Sequence, residues 1–170
     1  MTDTPLYTEA DRAAATDGRR RRMALVLGPA LLLLLAAVAV FVWFRMHRDA
    51  TGWIWSALLT VAGGAYALFF GETYLRPMSL YRRHVGYMLD GQRREAEGTV
   101  TQVEPVPQDK DGLDCYAFTV NIGSGNDPKD DRLFYFDTLK GPPPFTPGER
   151  VRIYSNDGKV AAVASSREET

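Results

Sequence analysis

Residues 23–44 read MALVLGPALLLLLAAVAVFVWF, and residues 52–71 read GWIWSALLTVAGGAYALFFG. Neither run contains Asp, Glu, Lys, Arg or His. A helix rises about 1.5 Å per residue, so each run would span roughly 30 Å, the thickness of a bilayer's hydrocarbon core. Two transmembrane helices are therefore predicted, at about 23–44 and 52–71. Chain averages conceal them: of 170 residues, 24% are charged, the net charge is −1 and the mean hydropathy is −0.21. The stretch between the runs, residues 45–51, is short enough to force an antiparallel hairpin, occupying residues 19–76.

Working outward from the first run, Arg19–Arg22 could serve as the basic region of a signal peptide or a twin-arginine signal. Signal-peptide apolar cores are only about 7–15 residues long and end at small residues. This run is longer and ends in Phe41-Val42-Trp43-Phe44, so the helix is expected to be retained. Gly28-Pro29 falls near the start of the predicted helix, where a proline costs least. Residues 1–18 are polar and Ala/Thr-rich without apolar period, and are predicted to be a disordered cytoplasmic tail.

Orientation follows from the short flanks. Arg12 and Arg19–Arg22 precede the first run, whereas the connecting loop carries only Arg45, Arg48 and Asp49. Arg76, Arg82, Arg83, Arg93 and Arg94 follow the second. This bias places both termini in the cytoplasm of a bacterial cell, with the loop across the inner membrane. Trp43, Trp53 and Trp55 then gather at the outer interface, where indole rings are favoured.

The second run carries small residues at every fourth position, Gly63, Ala67 and Gly71, beside Ser56, Thr60 and Gly64. Such stripes let helices approach closely in lipid. Packing against the first helix of the same chain is the favoured reading, and a homo-oligomer seam is the alternative. With no acidic, basic or histidine side chain in either span, a proton relay or ion-coupled transport inside the bilayer is disfavoured. Glu72 is expected to reach interfacial water at the inner end.

Residues 77–94 are read as a juxtamembrane helix opened by Pro77 and stopped near Gly91. Met78, Tyr81, Val85 and Met88 share one face, while Arg82 and Arg83 lie off it. Two roles are open: lying on anionic headgroups, or connecting to the following domain with the apolar face packed on it.

From Glu95 the period changes to two. Strands are predicted at Gly98–Val103, Cys115–Ile122, Arg132–Asp137, Arg150–Ser155 and Lys159–Ala164. Asn156-Asp157-Gly158 is a strong hairpin turn between the last two. Five short strands over residues 95–165, with a tail at 166–170, predict a small β-barrel. The expected fold class is thus a membrane α-hairpin, an amphipathic linker helix and a soluble five-stranded β-barrel.

Phe145-Thr146-Pro147-Gly148-Glu149-Arg150-Val151-Arg152-Ile153 places a Pro-Gly turn before a strand of alternating aliphatic and charged residues. Together with Glu97-Gly98-Thr99-Val100 as a first strand, it resembles the OB-like domain of NfeD-type bacterial membrane proteins. The resemblance implies an OB-like topology and an interaction or scaffold role near the membrane.

Motifs for chemistry are sparse. The single cysteine, Cys115, excludes an intrachain disulfide and a cysteine-cluster zinc site. It has no neighbouring histidine, as nucleophilic activation would require. Asp109-Lys110-Asp111-Gly112-Leu113-Asp114 has the look of a calcium loop, but Val120 stands where an EF-hand needs its closing glutamate. It is read as a solvated turn, as is the acidic stretch from Asn126 to Asp131. OB-type modules often bind nucleic acid, and Tyr116, Phe118, Phe134, Tyr135, Phe136 and Tyr154 supply aromatics. From Gly98 onward, however, eight basic residues face twelve acidic ones. That balance disfavours phosphate binding, so the aromatics are assigned to the core. Pro142-Pro143-Pro144-Phe145 is read as a stiff loop packing Phe145 onto the domain.

These readings lead to a non-enzymatic membrane anchor or scaffold carrying a cytoplasmic interaction module, with no cofactor and no metal site. Its expected partners are anionic lipid headgroups and an unidentified protein, with a homo-oligomer as a further option and no nucleic acid. A subunit or accessory of an oligomeric channel or transporter is the alternative.

Overall fold

The computed structural model describes residues 4–48, 51–123 and 127–165. Asp49 of the predicted loop, Asn126 of the acidic turn and the tail at 166–170 lie outside the described residues. The chain forms two compact units. One comprises residues 14–79; the other joins the segment up to Ala13 to everything from Leu80 onward.

Helix α1 runs from Glu9 to Met46, so most of the segment predicted to be a disordered tail is ordered. A reciprocal cap sets its start. The Thr8 hydroxyl and backbone N–H both donate to Asp11 Oδ2 at 2.9 and 2.8 Å, and the Asp11 N–H donates to Thr8 Oγ1 at 3.4 Å. This satisfies donors that a helix otherwise leaves open. Alanines and arginines then propagate the helix into the apolar run. Pro29 consequently lies in the interior of α1 rather than near its start, where it removes a backbone hydrogen bond and crowds the preceding turn.

Helix α2, Gly52–Phe70, passes through a π-helical turn at Gly71–Leu75 into α3, Arg76–Asp90. Two helices are long and apolar enough to cross a membrane. Only 11% of the most apolar stretch of the first and 6% of that of the second is buried. Within their unit, Tyr66 donates to the Leu25 carbonyl at 3.3 Å and Arg19 Nε to Ser79 Oγ at 3.2 Å.

The second unit is a mixed seven-stranded sheet. Its strands are β1 (Thr4–Pro5), β2 (Arg94–Val103), β3 (Gln108–Asp109), β4 (Asp114–Asn121), β5 (Asp131–Asp137), β6 (Arg150–Asn156) and β7 (Lys159–Ser165). The order is β1-β7-β5-β4-β2-β6, with β3 on β4 and β6 also paired to β7. Five of these match the predicted strands to within a few residues. The expected five-stranded barrel, closed or partly open, is corrected in strand number, and its closed form is not what the chain adopts. Strands β1 and β3 hold two residues each, too few to show a period. β5 and β7 are joined by a single parallel register pair, Tyr135↔Lys159, where a regular barrel wall would have a full ladder. Beyond that pair the N-terminal segment occupies the β7 edge, through Thr4↔Val163 and Pro5↔Ala162.

Alternation builds the main core. Val100, Phe118, Val120, Phe134, Phe136, Val151, Ile153 and Val160 point inward. Phe145, at the end of the proline run, packs 4.6 Å from the Phe118 ring, as expected for a stiff loop laid on the sheet. Tyr135 departs from the expected aromatic core, since the Lys110 ammonium lies over its ring at 5.4 Å. At Gly98 a Cβ would fall 2.1 Å from the Asn121 carbonyl oxygen, so only glycine permits β2 to approach β4 this closely.

A second core decides between the two roles open for the amphipathic helix. Val85 and Met88 of α3 are buried with Tyr7 and Ala161, and Tyr81, Leu89 and Leu6 pack around them. The apolar face therefore covers β7 and the N-terminal segment rather than lipid. Burying Val85 and Met88 contributes roughly 1.5–3 kcal/mol each. Arg82 and Arg83 remain exposed, with the Arg83 guanidinium donating to Tyr87 Oη at 3.0 Å.

Candidate functional site

Three polar side chains far apart in sequence converge beneath α3. Tyr7 comes from the segment just before the α1 cap, His84 from α3 and Asp137 from the end of β5. All are at least nine-tenths buried. Tyr7 Oη lies 2.8 Å from His84 Nε2 and donates to Asp137 Oδ2 at 2.9 Å. A hydroxyl has one proton to give. With that proton on the carboxylate side, the oxygen accepts from Nε2–H, which fixes the imidazole tautomer. Asp137 Oδ1 accepts from the Leu139 N–H at 2.9 Å, opening a 3₁₀ turn over Thr138–Lys140. The edge of the Tyr7 ring meets the His84 ring at 5.3 Å, nearly perpendicular.

Two further groups border this cluster. Cys115 is buried and lies opposite Asp137 across the β4–β5 ladder. Tyr81 lies one turn before His84, its ring centroid 6.3 Å away. Burial dominates the electrostatics of these groups. Burial, then the Asp137 charge, holds the Tyr7 hydroxyl far above its ordinary range and pushes Tyr81 up to about 12. The same two causes push the Cys115 thiol up to about 11. Burial brings His84 down to about 4 against the opposing pull of Asp137. At neutral pH the cluster thus holds a neutral imidazole, two phenols and a thiol beside one carboxylate. Nucleophilic or general-base work needs shifts in the other direction. Its physical effect is to fasten three elements together.

Salt links extend the same fastening. Lys140 Nζ bonds Asp11 Oδ1 at 2.7 Å and lies 5.1 Å over the Tyr7 ring. Arg12 pairs with Asp90 at the end of α3. That Lys140 bond is the leading cause holding the Asp11 carboxyl below its usual value.

A cleft of about 430 Å³ opens beside His84. Leu80, Tyr87 and Met88 of α3 form one wall, and the turns carrying Asp111 and Lys159 form the other. Lys159 Nζ and Asp111 Oδ2 pair within that second wall at 2.8 Å. This pairing leaves the suspected calcium loop as a two-residue turn. Asp111 and Gly112 have φ of 58° and 76°, and Lys110 and Leu113 exchange backbone hydrogen bonds. Among the described residues, no cluster of three or more His, Cys, Asp or Glu is placed to hold a metal ion.

The residues singled out from the sequence are distributed as follows. A Cβ at Gly63 would meet Leu33 Cβ at 3.2 Å, so Gly63 sits against α1 of the same chain. A Cβ at Gly71 would meet nothing within 4 Å, and Ala67 is only half-buried. Gly63 therefore meets α1, and Gly71 at the end of the stripe faces open space. Gly52, not singled out, is more tightly held: a Cβ there would lie 2.1 Å from Phe44 Cβ. Trp43, Trp53 and Trp55 are exposed at the loop ends of the two helices. The Trp43 ring stacks on His47 at 4.5 Å.

The Tyr7–His84–Asp137 cluster was not singled out. Its members are 77 and 130 residues apart, and no local pattern joins them. One signal was available: Thr8-x-x-Asp11 is a capping motif, which places the preceding Tyr7 at an ordered helix entry. Compared with family models, curated proteins and solved structures, the chain shows no match.

Proposed function

We propose that this chain is an integral membrane protein of the bacterial inner membrane, in which a two-helix hairpin anchors a non-catalytic interaction module. One observation carries the anchor: two long uncharged helical stretches leave almost all of their apolar surface outward. A soluble protein would have to cover such surface, whereas a bilayer solvates it. Both termini and the β unit lie in the cytoplasm on this reading, following the arginine bias of the flanks. The β unit is a partly open, OB-like module. Pairing of β2 on both edges and the parallel contact of β5 with β7 favour this. Its acidic balance favours a protein partner over nucleic acid.

The closed, unactivated state of the buried cluster favours binding over turnover. The test is the mass of the full chain extracted in mild detergent. A discrete complex with other chains is expected, and Leu133→Glu with Leu139→Glu, both exposed on the β unit, should reduce it while the hairpin stays intact. A chain that runs alone in both forms contradicts the interaction role. Ion conduction by the purified chain in a planar bilayer would favour a channel subunit instead.

A further inference from the structure

The N-terminal segment binds the β unit in the manner of a peptide ligand. Residues 4–6 add to the free edge of β7, with Leu6 N–H donating to the Ala161 carbonyl at 2.9 Å. Tyr7 then enters a pocket made by Val85, Met88 and Ala161 and closed by His84 and Asp137. Four residues later, Asp11 meets Lys140 at the rim. Strand addition supplies backbone hydrogen bonds in such recognition, and alternate side-chain pockets supply specificity. The attachment is also lopsided. Thr4, Pro5, Thr8, Glu9 and Ala10 are exposed, Leu6 is half-buried, and Tyr7 alone is buried among residues 4–13. Concentration of contact in one aromatic anchor, with ion pairs at the rim, shares the anatomy of a binding interface. Pro5 removes a backbone donor from the outer edge of β1, which blocks a further strand from adding there.

We propose that the β7 edge and the Tyr7 pocket form a peptide-recognition site, occupied here by the chain's own residues 4–12 as a tethered ligand. The partner is a segment with an extended leucine–tyrosine pair that passes into a capped helical turn carrying a carboxylate four residues after the tyrosine, and it displaces the tethered copy. The tyrosine hydroxyl is read by His84 and Asp137, and the carboxylate by Lys140. Displacement couples occupancy to α1, because the tethered segment runs directly into the cap of that helix. This deepens the interaction role above and rests on it, but its test needs no membrane partner.

The probe is a fluorescent peptide of residues 4–13, TPLYTEADRA, added to the full chain in detergent. Leu6→Asp with Tyr7→Ala vacates the site. The peptide should bind this variant saturably and the wild type at least ten-fold more weakly, since the tether competes. A peptide carrying Tyr7→Ala should bind the variant at least ten-fold more weakly. Equal binding to both proteins regardless of the tyrosine, or no binding to a variant with wild-type circular dichroism, overturns the proposal. Release of monomers from a wild-type dimer on adding peptide overturns the tether in favour of strand exchange between copies. Should the variant unfold, hydrogen exchange on the wild type decides. The Leu6 amide is expected to exchange at least a hundred-fold faster than the β4–β5 ladder, and equal rates overturn the proposal. A chain that binds the peptide but forms no complex with other chains would sink the wider interaction role and leave this site standing.

Discussion

Tyr7→Phe removes one oxygen and leaves the ring in place. That oxygen bridges His84 and Asp137, at 2.8 and 2.9 Å. Its loss deprives the Asp137 carboxylate of a hydrogen bond of the charged kind, worth about 1.5–3 kcal/mol. It also leaves the Nε2–H of the buried His84 without its acceptor, a penalty of about 1–3 kcal/mol. Some overlap between these effects and some relaxation are expected, which suggests about 3 kcal/mol in total. At roughly 4–8 °C per kcal/mol for a domain of this size, the melting temperature of the β unit should fall by on the order of 15 °C. The assay is thermal unfolding of the full chain in detergent, followed at a near-ultraviolet wavelength that reports the aromatic core. Helical ellipticity from the hairpin should persist beyond that transition. A melting temperature within about 2 °C of wild type would refute the reasoning, because it would mean that water or a rearranged Asp137 replaces the hydroxyl at no cost.

Two other outcomes follow from the same structure. The folded His84 stays neutral down to about pH 4, whereas in the unfolded chain it takes up a proton near pH 6.5. The unfolded state therefore binds more protons between those values, and stability falls as pH drops through that window, by up to about 3 kcal/mol; a melting series against pH should show this slope, and His84→Phe should flatten it. In the hairpin, Gly63→Leu would force α1 and α2 apart at Leu33 and cost about 1–3 kcal/mol, whereas Gly64→Leu, with open space at its Cβ, should cost little; equal melting of the two helical hairpins in detergent would contradict the contact.

Legibility in the sequence followed the range of the interactions. The two apolar runs needed only composition, and the five longer strands needed only a period of two. The chain turns where Asp157-Gly158 takes φ of 50° and 73°, the geometry that such a dipeptide signals. Asp111-Gly112, read as a solvated hairpin loop, makes the equivalent turn with φ of 58° and 76°, and only β3 before it is too short to show a period. The start of α1 was misplaced because residues 1–18 lack apolar period. The Thr8–Asp11 cap, rather than burial, sets that boundary. The extent of the β unit was misjudged for a related reason: Tyr7 and Val85 complete its second core, so a domain beginning at Glu95 would lack part of its packing. Convergence of Tyr7, His84 and Asp137 depends on tertiary folding alone, and no spacing in the chain encodes it.

The anchor is the premise on which the proposed role stands, and alkaline washing of cell membranes tests it most directly. A chain held by two lipid-embedded helices should remain in the membrane fraction after a carbonate wash at high pH and float with lipid in a density gradient. Replacing Leu33 and Val61, near the middle of each apolar run, with arginine should weaken that retention, since each charge at mid-bilayer costs roughly 2.5–3.5 kcal/mol on insertion scales. Release of the wild-type chain into the alkaline supernatant would contradict the membrane assignment and require a protein surface to cover both helices.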